Sequence, residues 1–192
     1  MNYYQEISLL PNSDITPYFI WQKLYQQIHL ALAENKSGEN TSRIGVSFPE
    51  YSANDFLLGT KLRLFAEDEQ TLEQMQCGKW LDRLSDYVHA GGIKPVPENP
   101  SGYACFKHVK LKGNMEKLAR RRAKRKEETY EEALAHFRGF EEQQSKLPYI
   151  NMTSQTNGQR FRLLIEKQEM EQPQTGVYSC YGLSKETTVP LF

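Results

Sequence analysis

Residues 110–126 read KLKGNMEKLARRRAKRK, in which Lys110, Lys112, Lys117, Arg120, Arg121, Arg122, Lys124, Arg125 and Lys126 stand against one acid, Glu116. Asn114 suits an N-cap and Glu116 falls in the first turn, where a helix dipole favours an anion. The Lys, Arg, Ala and Leu that follow are good helix formers, so a helix is expected over about 114–128. At about 100° per residue, Lys117, Arg121, Lys124 and Arg125 share one face, with Arg120 and Arg122 beside it. So many like charges repel one another unless a polyanion is near, and nucleic acid is the obvious partner. A solvated basic face is the plain alternative. His29 supplies a different chemistry. An imidazole can accept or donate a proton near neutrality. On its predicted helix His29 sits roughly 90° from the centre of the apolar face. That is an edge position, where a histidine is most often simply a surface polar residue.

Lysine plus arginine and aspartate plus glutamate both number 24, so the net charge is zero and no overall attraction to RNA or membrane is expected. The positive charge is local, and Glu127, Glu128, Glu131 and Glu132 follow it directly. Cys77, Cys105 and Cys180 are odd in number, widely spaced and match no zinc pattern, so reduced thiols and no metal are expected. No apolar run approaches the roughly 18 residues of a membrane span, and NYYQEISLLP lacks a signal-peptide layout. These features read as a soluble cytoplasmic protein with no cofactor.

The elements that must carry these residues follow from periodicity and punctuation. Residues 3–10 alternate as a strand and stop at Pro11. Thr16 and Pro17 read as N-cap and first helical position of a helix to about Asn35, with Trp21, Leu24, Ile28 and Leu32 on its buried face. RIGVSF (43–48) and KLRLFA (61–66) read as strands. A helical stretch over 68–87 is breakable at Gly78 and closed by Gly91–Gly92, and a fourth strand is expected at 93–96. The order β-α-β-β-α-β makes an α+β protein whose first half, residues 1–97, is ferredoxin-like, the arrangement of RNA-recognition modules. KLRLFA lacks their aromatic base-stacking signature. Pro95, Pro97 and Pro100 mark the passage to an α/β half, residues 98–192. It should hold a strand at 103–111, the basic helix, a helix over 130–144, an extended segment at 149–153, an Asn157–Gly158 hairpin turn, and strands at 161–167 and 177–183.

Several segments together resemble one family. RIGVSFP (43–49), the arginine-rich helix, SQTNGQRF (154–161) and YGLSK (181–185) occur, with His29, in the order found in the CRISPR-associated endoribonuclease of the type I-F (Csy) system. The resemblance spans nearly the whole chain, down to the closing VPLF. It implies cleavage of CRISPR repeat RNA at the base of a stem-loop without metal. It also implies retention of the product as mature crRNA within a surveillance complex, hence other Csy subunits as partners.

What the resemblance implies for single residues is specific. His29 would take the proton from a ribose 2′-hydroxyl. Ser154 would hold that ribose for in-line attack, with Thr156 a possible second hydroxyl; the plain reading of Ser154 is a turn serine bonding its own backbone. Tyr181 would position the histidine. Phe161, beside Gln159, would stack on the terminal base pair, worth about 1–3 kcal/mol per base in single-strand binders; alternation with Leu163 and Ile165 equally allows a core phenylalanine. Lys117, Arg120, Arg121, Arg122, Lys124 and Arg125 would contact the stem. Where the family uses an arginine and a glutamine to read bases, this chain has His108 and Lys110, or Lys107 after a one-residue shift. Neither choice reproduces that pair, so repeat specificity should differ. The competing function is a hairpin-binding subunit that does not cut; a remoter one is a less specific ribonuclease.

Overall fold

The computed structural model describes residues 1–52, 57–111, 115–137 and 145–192, apart from the side chain of Lys117. These form two compact units, Met1–Val109 with Leu147–Phe192, and Lys110–Lys146.

In the larger unit, β1 (Tyr3–Leu9) leads into α1 (Pro17–Glu34). Pro17 opens α1 as expected, while Thr16 occupies the N-cap without a side-chain capping bond. Trp21, Leu24, Ile28 and Leu32 are buried, joined by Ile20, Tyr25 and Ala31. Each such large side chain removed from water contributes about 1.5–3 kcal/mol, which fixes the helix's rotation. The short strands β2 (Thr41–Ser42) and β3 (Gly45–Ser47) and the longer β4 (Lys61–Ala66) follow. Two short helices come next, α2 (Glu69–Met75), capped by the Asp68 carboxylate on the Thr71 amide, and α3 (Cys77–Leu81). The break between them is at Gln76, in the left-handed region at φ 49°, and Gly78 lies inside α3.

β5 runs Val88–Pro95, five residues earlier than expected at its start, so Gly91–Gly92 lies within the strand. The reason is a bulge. Gln5 pairs with Ile93 and Ile7 with Ala90, leaving one extra residue on β5, and the Gln5 side chain donates to the Gly91 carbonyl at 2.8 Å. The first sheet is antiparallel with order β3-β4-β1-β5.

The second sheet contains β6 (Gly102–Val109), β7 (Tyr149–Thr153), β8 (Arg160–Met170) and β10 (Val189–Leu191), in the antiparallel order β10-β6-β8-β7. The boundary expected at residue 97 falls inside the larger unit, because both sheets feed one core cluster. Phe48 lies at its centre, its ring 5.5 Å from Trp21, 5.9 Å from Tyr25 and 5.5 Å edge-on from Phe106 of β6. The Tyr51 hydroxyl donates to the Ile165 carbonyl at 3.0 Å, a further tie to the second sheet.

The strand expected over 177–183 is only β9 (Tyr178–Ser179), paired with β2; residues 180–183 turn instead. Gly182 is the cause. It takes φ 69°, and a Cβ there would sit 2.4 Å from Val46 Cγ1, so only glycine allows this turn against β3.

The smaller unit holds α4 (Met115–Lys126) and α5 (Tyr130–His136), packed on one another. Glu127 ends α4 in the left-handed region, and a Thr129–Glu132 capping box starts α5. Ala119 and Ala133 are fully buried. Lys112, the expected N-cap Asn114 and residues 138–144 of the predicted second helix lie outside the described residues.

Candidate active site

Along α1, Gln22, Gln26 and His29 recur at helical spacing beside the buried face. His29 is half-buried there, as its edge position foretold. Its Nδ1 lies 2.9 Å from the carbonyl oxygen of Cys180. A carbonyl only accepts, so Nδ1 carries the hydrogen, and in the neutral ring Nε2 is left with the lone pair. The ring also lies on the phenol of Tyr181, with centroids 4.0 Å apart and planes 2° from parallel. One hydrogen bond and one stack thus hold both the tautomer and the plane of the imidazole.

The turn that presents Tyr181 is held at successive residues. The Cys180 amide donates to the Asn40 carbonyl at 3.2 Å, and the Gly182 carbonyl accepts from Val46 at 2.9 Å. The carbonyl of Tyr181 accepts from the Tyr25 hydroxyl at 2.8 Å. Complete burial, and then the nearby Tyr181, push the Tyr25 phenol well above its ordinary range, so it remains a donor. Burial, and then Cys180, likewise raise the Tyr181 phenol. All three cysteines are free and buried.

Two more sequence-predicted residues join this cluster of rings. Phe161 of β8 meets Tyr181 edge-on at 6.4 Å, and His108 of β6 is tilted towards it, also at 6.4 Å. Phe161 shares a strand face with Leu163 and Ile165, which are buried, yet it stays half-exposed at the rim. Lys107, one residue before His108, is held by Glu166 at 3.2 Å and the Gln168 side chain at 3.2 Å.

Ser154 begins the turn between β7 and β8. Its amide donates to the Gln159 carbonyl and its carbonyl accepts from Gly158, both at 2.9 Å. Gly158 takes φ 66°, as an Asn-Gly turn requires, and the Asn157 side chain accepts from the Gln159 amide at 3.1 Å. Thr156 and Gln159 are exposed there. The preceding residue ties this turn to the histidine's helix, since the Thr153 amide donates to Gln26 Oε1 at 3.1 Å. Gln26 Nε2 is buried and has no hydrogen-bond partner among the described residues. Gln26, Tyr25 and the Cys180 carbonyl were not singled out from sequence. For Gln26 a signal existed, the polar spacing at 22, 26 and 29.

Lys110 and the arginine-rich helix belong to the smaller unit. On α4, Arg120, Arg121, Lys124, Arg125 and Lys126 are exposed. Arg122 differs from the other arginines: it is 2.6 Å from Glu128 and three-quarters buried, so its charge is engaged within the unit. Arg120 pairs more loosely with Glu116, at 3.8 Å.

The profile of a CRISPR-associated protein family, Cas_Csy4, matches residues 4–192. This chain is a member of that family. Two Cas_Csy4-type relatives, each named CRISPR-associated endonuclease Cas6/Csy4, align over the full length of both chains. The one from Escherichia coli (strain UTI89 / UPEC) is 32% identical and the one from Pseudomonas aeruginosa (strain UCBPP-PA14) 33% identical over 193 residues. A solved structure described as "An RAMP protein binding different RNA substrates" superposes over 98% of this chain with a TM-score of 0.41 and 11% identity, too distant to argue from. Among the described residues of this Cas_Csy4 member, no helix is long and apolar enough to cross a membrane.

Proposed function

We propose that this Cas_Csy4 member is a metal-independent endoribonuclease that cuts CRISPR repeat RNA at the base of its stem-loop and keeps the crRNA product. The observation that carries the reading is the Nδ1–H of His29 donated to Cys180, which leaves Nε2 as a base. Nε2 takes the proton of the 2′-hydroxyl, the 2′-oxygen bonds to the adjacent phosphorus, and the P–O5′ bond breaks. The departing 5′-oxygen acquires a proton, giving a 2′,3′-cyclic phosphate (or derived 3′-phosphate) and a 5′-hydroxyl. Ser154 orients the attacked ribose, and Tyr181 holds the imidazole flat.

Phe161 stacks on the last base pair from the rim of the ring cluster, while His108 faces the foot of the stem. Lys110 donates to a base edge at the stem's foot, and Lys117, Arg120, Arg121, Lys124 and Arg125 neutralise stem phosphates. Thr156 and Gln159 contact RNA from the exposed turn. The strand order of the first sheet, with α1 and the α2–α3 segment between its strands, supports a ferredoxin-like first half. The cytoplasm is the place of action, and the remaining Csy subunits are the protein partners.

Incubation with a stem-loop repeat RNA in EDTA, with the product ends identified, tests this. A single cut at the stem's foot with a 5′-hydroxyl is expected. Tight binding with intact RNA would make the chain a binding subunit, and equal destruction of unstructured RNA an unspecific ribonuclease.

A further inference from the structure

Beside the ring cluster, the β7–β8 hairpin and α1 border an open cleft of about 450 Å³, whose lining includes Gln22, Asn151, Thr153, Arg160, Phe161 and Arg162. The strand register places Asn151 opposite Arg162 and Thr153 opposite Arg160, so both guanidinium groups stand on one face of the hairpin. Arg162 is pre-positioned, its guanidinium lying over the Tyr149 ring at 4.8 Å. Phe161, between the two arginines in the strand, borders the cleft and meets Tyr181 edge-on at 6.4 Å, so the cleft adjoins the ring cluster at that residue.

The charge pattern points outward. Elsewhere in this sheet Lys107 is paired with Glu166 at 3.2 Å and Lys167 with Glu169 at 2.7 Å. Among the described residues neither Arg160 nor Arg162 has such an acid, and no acid lines the cleft. Two unneutralised guanidiniums beside amide side chains and an aromatic edge suit one nucleotide: a phosphate for the arginines, a base edge for Asn151 and Gln22. β7 is also the sheet's outer strand, and Gln26 has already claimed the Thr153 amide.

We propose that this cleft is a subsite for a single-stranded nucleotide adjoining the stem's foot, gripped through its phosphate by Arg160 and Arg162. The proposal rests on the nuclease reading above. A single strand leaves the stem on its 5′ and its 3′ side, and both present the same chemistry.

Three RNAs distinguish them: a stem alone, a stem with a 5′ flank and a stem with a 3′ flank. Each carries a 2′-deoxy nucleotide at the attacking position so that it stays intact. Dissociation constants are measured over salt for the wild type, the Arg160→Ala/Arg162→Ala variant and the Arg160→Lys/Arg162→Lys variant. One flank should tighten wild-type binding and steepen its salt slope by about 0.7 for the one phosphate held, which is roughly 2.6-fold between 50 and 200 mM salt. The alanine variant should lose that increment while binding the stem alone as the wild type does, and the lysine variant should recover the slope. Equal weakening on all three RNAs, or no flank increment in the wild type, would overturn the subsite. Cutting of the all-ribose RNAs by the wild type is scored separately. Its absence defeats the nuclease reading, whereas cutting with an unaltered flank increment in the alanine variant defeats only the subsite.

Discussion

The imidazole of His29 lies flat on the phenol of Tyr181, ring centres 4.0 Å apart and planes 2° from parallel. A histidine on a rigid helix is thereby matched to an aromatic on a turn held by Asn40, Val46 and Tyr25. In the proposed mechanism both rings bear on one proton transfer but in different ways, and variants separate the two.

His29→Ala removes the proposed base and leaves the basic helix untouched. Cleavage should fall by about 10²–10⁴-fold while RNA affinity stays near that of the wild type. Single-turnover cleavage and filter binding on the same RNA measure both, and an unchanged rate would eliminate the mechanism.

Tyr181 acts through its ring in this arrangement. Burial raises its phenol, so it keeps its proton at neutral and mildly alkaline pH, and no charge appears there to disturb the histidine. Tyr181→Phe should therefore keep most of the rate and leave the pH–rate profile unchanged up to about pH 9. Tyr181→Ala should lose roughly 10²-fold, because an imidazole free to tilt misses the ribose oxygen. Equal losses in both variants would assign the work to the hydroxyl instead.

Gln26 holds the end of β7, one residue before Ser154. Gln26→Leu leaves the Thr153 amide without its acceptor and should lower kcat more than affinity, as should Ser154→Ala. Gln26→Glu retains the acceptor oxygen and should restore part of the rate. A Gln26→Glu rate as low as that of the leucine variant would show that the orphan Nε2 donor matters rather than the hold on Thr153.

Gly182→Ala forces a Cβ to 2.4 Å from Val46 Cγ1 and 3.3 Å from Leu32 Cδ1 in a backbone at φ 69°. The strain is of order 1–3 kcal/mol, so Tm should drop by roughly 2–12 °C and the His29–Tyr181 stack should loosen. Thermal melting with single-turnover rates tests it; an unchanged Tm with full activity would mean that the turn tolerates a side chain.

On the basic helix, Arg121, Lys124 and Arg125 are exposed, whereas Arg122 is spent on Glu128. Changing the first three to Ala should reduce the salt slope of RNA binding by about 2–3. Arg122→Ala should instead lower thermal stability and leave the slope nearly intact. A slope unmoved by the triple change would remove α4 from the interface.

Sequence alone determined the parts whose signal is local. The apolar spacing of Trp21, Leu24, Ile28 and Leu32 set α1 and left His29 at its edge, and Asn157–Gly158 set the hairpin after Ser154, since periodicity and positive φ are properties of neighbouring residues. Tertiary structure alone decided what depends on residues far apart in the chain. The β5 bulge at Gly91 arises from pairing with β1, the acceptor for His29 comes from Cys180, and the turn at Tyr181 replaces a strand because Gly182 must pass Val46. Which histidine nitrogen carries the hydrogen is set by a carbonyl 151 residues away, and no local pattern encodes that meeting.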